Sequence, residues 1–123
     1  MACELGARNV LVPSGPDPGC VLRQAALASF QESLGQLCSY AMAQRPDDPP
    51  VICVEPFDRE VQWRQLLGPT ALSSSLVSEV RKRFASCGIT LDMSHVAQLG
   101  EGLLGAVDSA GDCLVHAHMA NCV

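Results

Sequence analysis

Short apolar runs alternate with longer helical patterns along this 123-residue chain. The runs cover residues 9–13, 51–55, 89–92 and 113–118, and the helical patterns between them cover about 21–44, 73–86 and 96–108. Such an alternation is typical of right-handed crossover units, whose strands lie parallel in one sheet. The runs are almost continuously apolar, as expected for strands covered on both faces. The sequence therefore predicts the α/β class, either as an open doubly wound sheet or as part of an eight-stranded α/β barrel.

Glycine, proline and polar residues indicate where the predicted helices begin and end. The first helix has an apolar stripe with spacings of three and four, formed by Leu27, Phe30, Leu34, Leu37 and Ala41. The proline-rich stretch 45–50 ends it. Ser73 is the expected N-cap of the second helix, and Gly88 is the expected glycine stop after it. The third helix has a lower propensity because it contains three glycines.

The charge and hydropathy of the chain exclude several classes of function. Thirteen acidic and eight basic residues give a net charge of −5, and no basic stripe is present. Binding of nucleic acid through phosphate contacts is therefore not expected. No apolar run approaches the roughly 18 residues of a membrane span, so no membrane partner is expected. The first ten residues contain Glu4 and Arg8 and lack the apolar segment of a signal peptide, which favours a cytoplasmic location.

The cysteine spacing gives no support to a zinc cluster or a disulfide framework. The count of seven is odd, and no pair has the C-x-x-C spacing. Most of these cysteines lie among aliphatic residues, so we expect them to be small core side chains. They are Cys3, Cys20, Cys38, Cys53, Cys87, Cys113 and Cys122.

Three residues with metal-binding side chains lie at the carboxyl ends of three successive predicted strands. They are Glu55, Asp92 and His118. In a parallel barrel these strand ends converge on one mouth, where active sites are built. Two carboxylates and an imidazole form a hard oxygen and nitrogen ligand set, which suits a divalent ion such as manganese, magnesium or zinc.

Each of these residues also has a simpler interpretation. Glu55 precedes a proline and could be a solvated strand end, and Asp92 could cap the turn that follows it. His116 and His118 share one face of a strand, where a histidine is more often a core or surface group than a ligand. The shared-metal interpretation gains weight because the three residues occupy equivalent topological positions.

Other polar residues follow the same strand ends. His95 lies three residues after Asp92, in the loop beyond the strand, within reach of the same mouth. Arg59 and Glu60 follow Glu55 by four and five positions and could contact a polyol substrate. For Arg59 a plain surface charge is the favoured interpretation.

Three segments in order along the chain resemble motifs of a known family. They are VEPFDRE at 54–60, LDMSH at 91–95 and HAHMAN at 116–121. These segments look like successive strand-end motifs of the xylose-isomerase-like barrel superfamily. That superfamily includes ketose 3-epimerases, hydroxypyruvate isomerase, inosose dehydratase and endonuclease IV.

The resemblance implies a role for each matching residue. Glu55, Asp92 and His118 would be metal ligands, and Glu55 would also be the catalytic base that removes a proton next to a carbonyl. His95 and Glu60 would bind the substrate, a small sugar or keto-polyol. The implied function is a metal-dependent isomerase or epimerase of sugars or hydroxy-keto acids that acts through an enediolate.

The length of the chain departs from this family. A full barrel takes about 250 residues, and this chain has about half of that. By its motifs it would supply strands four to seven of eight, so residues 1–123 would be a single partial barrel domain that is truncated at both ends. Four strands cut from a barrel have two unpaired edges, and we therefore expect self-association or a complementing chain.

Three further functions are alternatives to the isomerase. An inosose-type dehydratase would use the same metal and base but would expel water. An endonuclease would need a multi-metal site and a DNA-facing surface, which the acidic charge disfavours. The last alternative is a non-catalytic remnant that retains only the fold and weak metal binding.

Overall fold

The computed structural model describes residues 1–121 and contains one sheet of four parallel strands. The strands are β1 (Asn9–Val12), β2 (Val51–Val54), β3 (Cys87–Asp92) and β4 (Leu114–His118). The helices are α1 (Arg23–Gln44), α2 (Thr70–Arg81), α3 (Met93–Gln98) and α4 (Leu103–Ala110), and a short 3₁₀ turn spans Gly111–Cys113. The predicted α/β class and the all-parallel sheet are confirmed. A cytoplasmic location stays a prediction.

The strands lie side by side in the order in which they occur in the chain, β1-β2-β3-β4. A doubly wound sheet reverses its strand order at one point, and the described strands contain no such reversal. The partial barrel is not confirmed either, because four strands in an open sheet do not show closure. The structure therefore shows an α/β fold with a four-stranded parallel sheet, and it confirms neither the doubly wound sheet nor the barrel.

The helices pack on one face of the sheet, where most of the hydrophobic core lies. Alternate strand residues, among them Ile52, Val54 and Ile89, point into this core. Leu34 of α1 and Val77 of α2 meet them there and are fully buried. The expectation that both faces of the strands are covered stays a prediction. The opposite face carries polar side chains as well as apolar ones, and the candidate site lies at its carboxyl edge.

Several predicted boundaries needed correction. Ser73 is not the N-cap of α2 but lies inside it, and its hydroxyl donates to the Pro69 carbonyl at 3.1 Å. Gly88 does not stop a helix, because it lies within β3. The third predicted helix is two short helices, α3 and α4, separated by Gly100, whose φ of +69° is in the left-handed region that favours glycine.

The cysteines follow the core prediction in part. Four are buried, while Cys3 is partly exposed and Cys20 is exposed. The buried ones are Cys38, Cys53, Cys87 and Cys113. Cys122 lies outside the described residues. Within residues 1–121, none of the helices is both long and apolar enough to cross a membrane.

A β-bulge in the β3–β4 pair brings Val115 directly over Gly88. The register pairs Ile89 with Leu114 and then Thr90 with His116, so that Val115 is the extra residue. A Cβ atom on Gly88 would lie 2.4 Å and 2.7 Å from the two methyl carbons of Val115. This close approach requires glycine at position 88 and helps to fix the register that carries the site.

We therefore predict that Gly88→Ala lowers the free energy of unfolding by about 1–3 kcal/mol, because overpacking forces neighbouring atoms to shift. Urea unfolding measures the change. Gly105→Ala is the matched control, since nothing lies within 4 Å of the position that its Cβ atom would take in α4, and it should stabilise the helix by about 0.5–1 kcal/mol. Adding Val115→Ala should recover stability in Gly88→Ala. A Gly88→Ala protein as stable as the wild type would contradict this packing.

Candidate metal centre

The three predicted ligands come together at the carboxyl edge of the sheet. Glu55 directly follows β2, Asp92 is the last residue of β3, and His118 is the last residue of β4. The parallel register pairs Asp92 with His118. Because parallel strands end at the same edge of a sheet, this register places the side chains side by side.

The distances among these side chains fit one small cation. Nδ1 of His118 lies 3.1 Å from Oε1 of Glu55 and 3.6 Å from Oδ2 of Asp92. One ligand atom from each of the three residues lies within 4.8 Å of the others. Ligand atoms that are each about 2.1 Å from one ion stand roughly 3–3.5 Å apart. The cluster thus needs only a small contraction to bind a divalent ion.

Asp92 uses its two carboxylate oxygens for different purposes. Oδ1 accepts hydrogen bonds from the backbone N–H of Ser94 at 2.8 Å and from its hydroxyl at 2.5 Å. Asp92 is therefore the N-cap of α3. Oδ2 points instead toward His118. The capping interpretation of Asp92 and the ligand interpretation are thus compatible in one side chain.

The hydrogen bonds of Asp92 also favour its charged form. Burial alone would raise the pKa of this carboxyl, but the Ser94 hydrogen bonds and the nearby His95 lower the pKa below its ordinary value. A carboxylate that stays ionised at neutral pH is ready to bind a cation.

The cluster is shielded on the sheet side and open on the other. The side chains of Glu55 and Asp92 are only 11% and 12% exposed, whereas the His118 side chain is 37% exposed. The His116 ring packs edge-on against the His118 ring, with centroids 5.2 Å apart. The cluster is therefore in contact with solvent through the His118 side chain.

The two predicted substrate-binding residues lie outside this cluster. The ring of His95 packs against Phe57 with centroids 4.1 Å apart, and its Nδ1 lies 3.2 Å from Oε1 of Gln98. Glu60 is exposed in the loop after β2. The roles of His95 and Glu60 stay predictions.

The favoured interpretation of Arg59 as a free surface charge was wrong. Its guanidinium donates to the Leu66 carbonyl at 2.7 Å, and its side chain is only 22% exposed. Nε of Arg59 also lies 3.8 Å from a carboxylate oxygen of Asp17. Arg59 therefore joins the loop after β1 to the loop after β2.

Asp58 is a structural residue of the site that the sequence patterns did not reveal. It is 1% exposed, and its carboxylate accepts the backbone N–H groups of Val61, Gln62 and Trp63 at 2.6, 2.7 and 2.8 Å. An aspartate followed by a tight turn is the available sequence signal, because its side chain can satisfy the N–H groups of that turn. Asp58 thereby fixes the loop that borders the cluster.

Comparison with known proteins gives matches among solved structures only. No family model matches the chain, and no curated protein matches it. Among solved structures it is similar to the apo form of the 3-keto-D-glucoside 4-epimerase YcjR from E. coli, with a TM-score of 0.74 and 19% identity. The match covers 98% of this chain and 46% of that one, so the chain spans about half the length of that protein. At this identity the likeness shows the fold alone.

These comparisons overturn the family assignment made from the motifs. A solved structure that the chain resembles is named a 3-keto-D-glucoside 4-epimerase, and no family model supports the xylose-isomerase-like superfamily. The assignment was therefore wrong. Its physical weakness is that short strand-end segments with a carboxylate or histidine suit many parallel α/β sheets.

The anchoring role of Asp58 predicts a pH-dependent loss of stability. Burial alone would raise its pKa, but the backbone hydrogen bonds lower the pKa below its ordinary value. The stabilisation is therefore present above pH about 4 and is lost as the pH falls through the lower pKa of the folded state. Asp58→Asn should lower the free energy of unfolding at pH 7 by about 1–3 kcal/mol.

Urea unfolding at pH 7, 5 and 3 measures this effect. The difference between Asp58→Asn and the wild type should shrink at the lowest pH. Asp108→Asn, on the exposed face of α4, is the control and should change little. An Asp58→Asn penalty that does not vary with pH would show that the carboxylate charge is not what fixes the loop.

Proposed function

We propose that this chain carries the divalent-metal site of a sugar or hydroxy-keto acid isomerase or epimerase. Glu55, Asp92 and His118 are the metal ligands in this proposal. The observation that carries it is the convergence of their ligand atoms within 4.8 Å at one edge of a parallel sheet. The likeness to a sugar epimerase supports the same reaction class.

The donor set suits manganese, magnesium or zinc. Two carboxylates and one imidazole provide hard oxygen ligands and one nitrogen ligand. A bound ion would supply Lewis-acid polarisation of the substrate carbonyl. Oδ1 of Asp92 is already held by Ser94, which leaves Oδ2 as the oxygen available for the ion.

Glu55 is the proposed catalytic base. Its Oε1 faces His118, so its second oxygen is the one available to take a proton from the carbon next to the carbonyl. Loss of that proton gives an enediolate, and return of a proton to the other carbon or the other face completes an isomerisation or epimerisation. His95 and Glu60 would contact the substrate hydroxyl groups at the rim.

The structural neighbour suggests a specific test substrate. A 3-keto-D-glucoside has a carbonyl at C3, so the hydrogens at C2 and C4 are both acidic, and a 4-epimerase inverts C4. This chain spans 46% of the neighbour. We therefore propose that a second copy or a complementing chain completes the open sheet beside its edge strands β1 and β4.

The proposal predicts exchange of hydrogen between substrate and solvent. The Mn²⁺-loaded protein in D₂O should introduce deuterium at C4 of a 3-keto-D-glucoside, and NMR detects this label directly. Glu55→Gln should slow the exchange by about 10²–10⁴-fold, the usual contribution of a general base. A chelator should abolish the exchange in the wild type.

Glu79→Gln is the matched control, because Glu79 is exposed on α2 and pairs with Lys82. It should leave the exchange rate unchanged. Exchange that persists in Glu55→Gln would rule out this base. Absence of exchange while Mn²⁺ is bound would favour a non-catalytic remnant of such an enzyme over the isomerase.

A further inference from the structure

Three rings form an aromatic cluster on the rim next to the proposed metal ligands. Phe57 lies two residues after Glu55, and His95 lies three residues after Asp92. Phe57 packs on His95 with centroids 4.1 Å apart, and Trp63 packs on both. The Trp63 ring lies 5.6 Å from the Phe57 ring and 6.4 Å from the His95 ring, in edge-type arrangements. The cluster therefore joins the loop that follows β2 to helix α3, which contains His95 and follows β3.

Trp63 is exposed although its backbone is firmly held. Its side chain is one of the exposed large hydrophobic groups, with 48% of the residue surface accessible. Its backbone N–H donates to the buried Asp58 carboxylate at 2.8 Å. Two neighbouring N–H groups donate to the same carboxylate. The loop thus holds the backbone of Trp63 in place while the residue remains partly exposed to solvent.

A partly exposed aromatic ring beside a polar cluster is complementary to a sugar ring, which has both an apolar face and polar groups. A pyranose has hydroxyl groups around its edge and a flat face of C–H groups. The electron-rich face of an aromatic ring attracts such C–H groups, while metal ligands and carboxylates take the hydroxyl and carbonyl oxygens. An open-chain polyol has no such flat face, so the same wall would bind it poorly.

We propose that Trp63, supported by Phe57 and His95, is the stacking wall for a closed sugar ring whose oxygens face the Glu55, Asp92 and His118 cluster. This inference rests on the proposed function and narrows its substrate class to cyclic sugars or glycosides. Trp63 would then favour cyclic sugars over open-chain polyols, and the cluster would act on the carbonyl of the sugar.

The single tryptophan of the chain makes the stacking directly observable. Methyl β-D-glucopyranoside should change the Trp63 fluorescence in a saturable way in the Mn²⁺-loaded protein. Sorbitol, an open-chain polyol, should not produce a saturable change at the same concentrations. An equal response to the two compounds, or no response to the ring, would overturn the proposal.

Substitutions separate stacking from general apolar contact. Saturation-transfer NMR of the glucoside measures affinity without using tryptophan fluorescence. Trp63→Leu should weaken binding by about threefold to tenfold, and Trp63→Phe should keep most of it, since only the aromatic face is at issue. Tyr40→Ala is the control, because Tyr40 is a 64% exposed aromatic residue on α1. Unchanged binding in Trp63→Leu, with its fold verified by circular dichroism, would overturn the stacking wall.

The metal proposal is tested separately in the same samples. The electron paramagnetic resonance signal of Mn²⁺ reports whether the ion is bound. If Mn²⁺ binds and the glucoside shows no advantage over sorbitol, the stacking wall is wrong and the metal site stands. If Mn²⁺ does not bind, the metal proposal is wrong. The comparison of the glucoside with sorbitol then still decides whether Trp63 stacks on sugars.

Discussion

The parallel register of β3 and β4 is the constraint on which the candidate site depends. It pairs Asp92 with His118, and Glu55 directly follows the neighbouring strand β2. The bulge that packs Val115 over Gly88 helps to hold this register. A shift by one residue would turn the side chains of β4 to the other face and separate His118 from the carboxylates. Ordinary parallel strand pairing thus brings the three side chains of the site together.

Local folding and the candidate site share the same side chains. Asp92 begins α3 through one oxygen and faces His118 with the other. Asp58 holds the next loop through three backbone N–H groups and so positions Trp63. Because these carboxylates are held by hydrogen bonds within the chain, the fold itself positions the loops and side chains of the site. Such preorganisation lowers the cost of ordering side chains on binding.

The sequence predicted the alternation of elements and the three clustered residues because both depend on strong local signals. Buried strands stand out as apolar runs, and a polar residue at the end of such a run is conspicuous. The helix boundaries at Ser73 and Gly88 were wrong because serine and glycine occur inside helices and strands as well as at helix ends. Tertiary packing decides which of these positions they take. The Phe57–Trp63 contact was missed because it depends on the tertiary course of a loop. The family assignment failed because short motifs carry little information.

The central claim is that one cation binds between Glu55, Asp92 and His118. Anomalous diffraction from crystals of the Mn²⁺-loaded protein tests it most directly. The account predicts one strong peak with Mn–ligand distances of about 2.0–2.3 Å to a carboxylate oxygen of each acid and to Nδ1 of His118. A peak elsewhere on the surface, or no peak at saturating Mn²⁺ with the three side chains still hydrogen-bonded to one another, would contradict it.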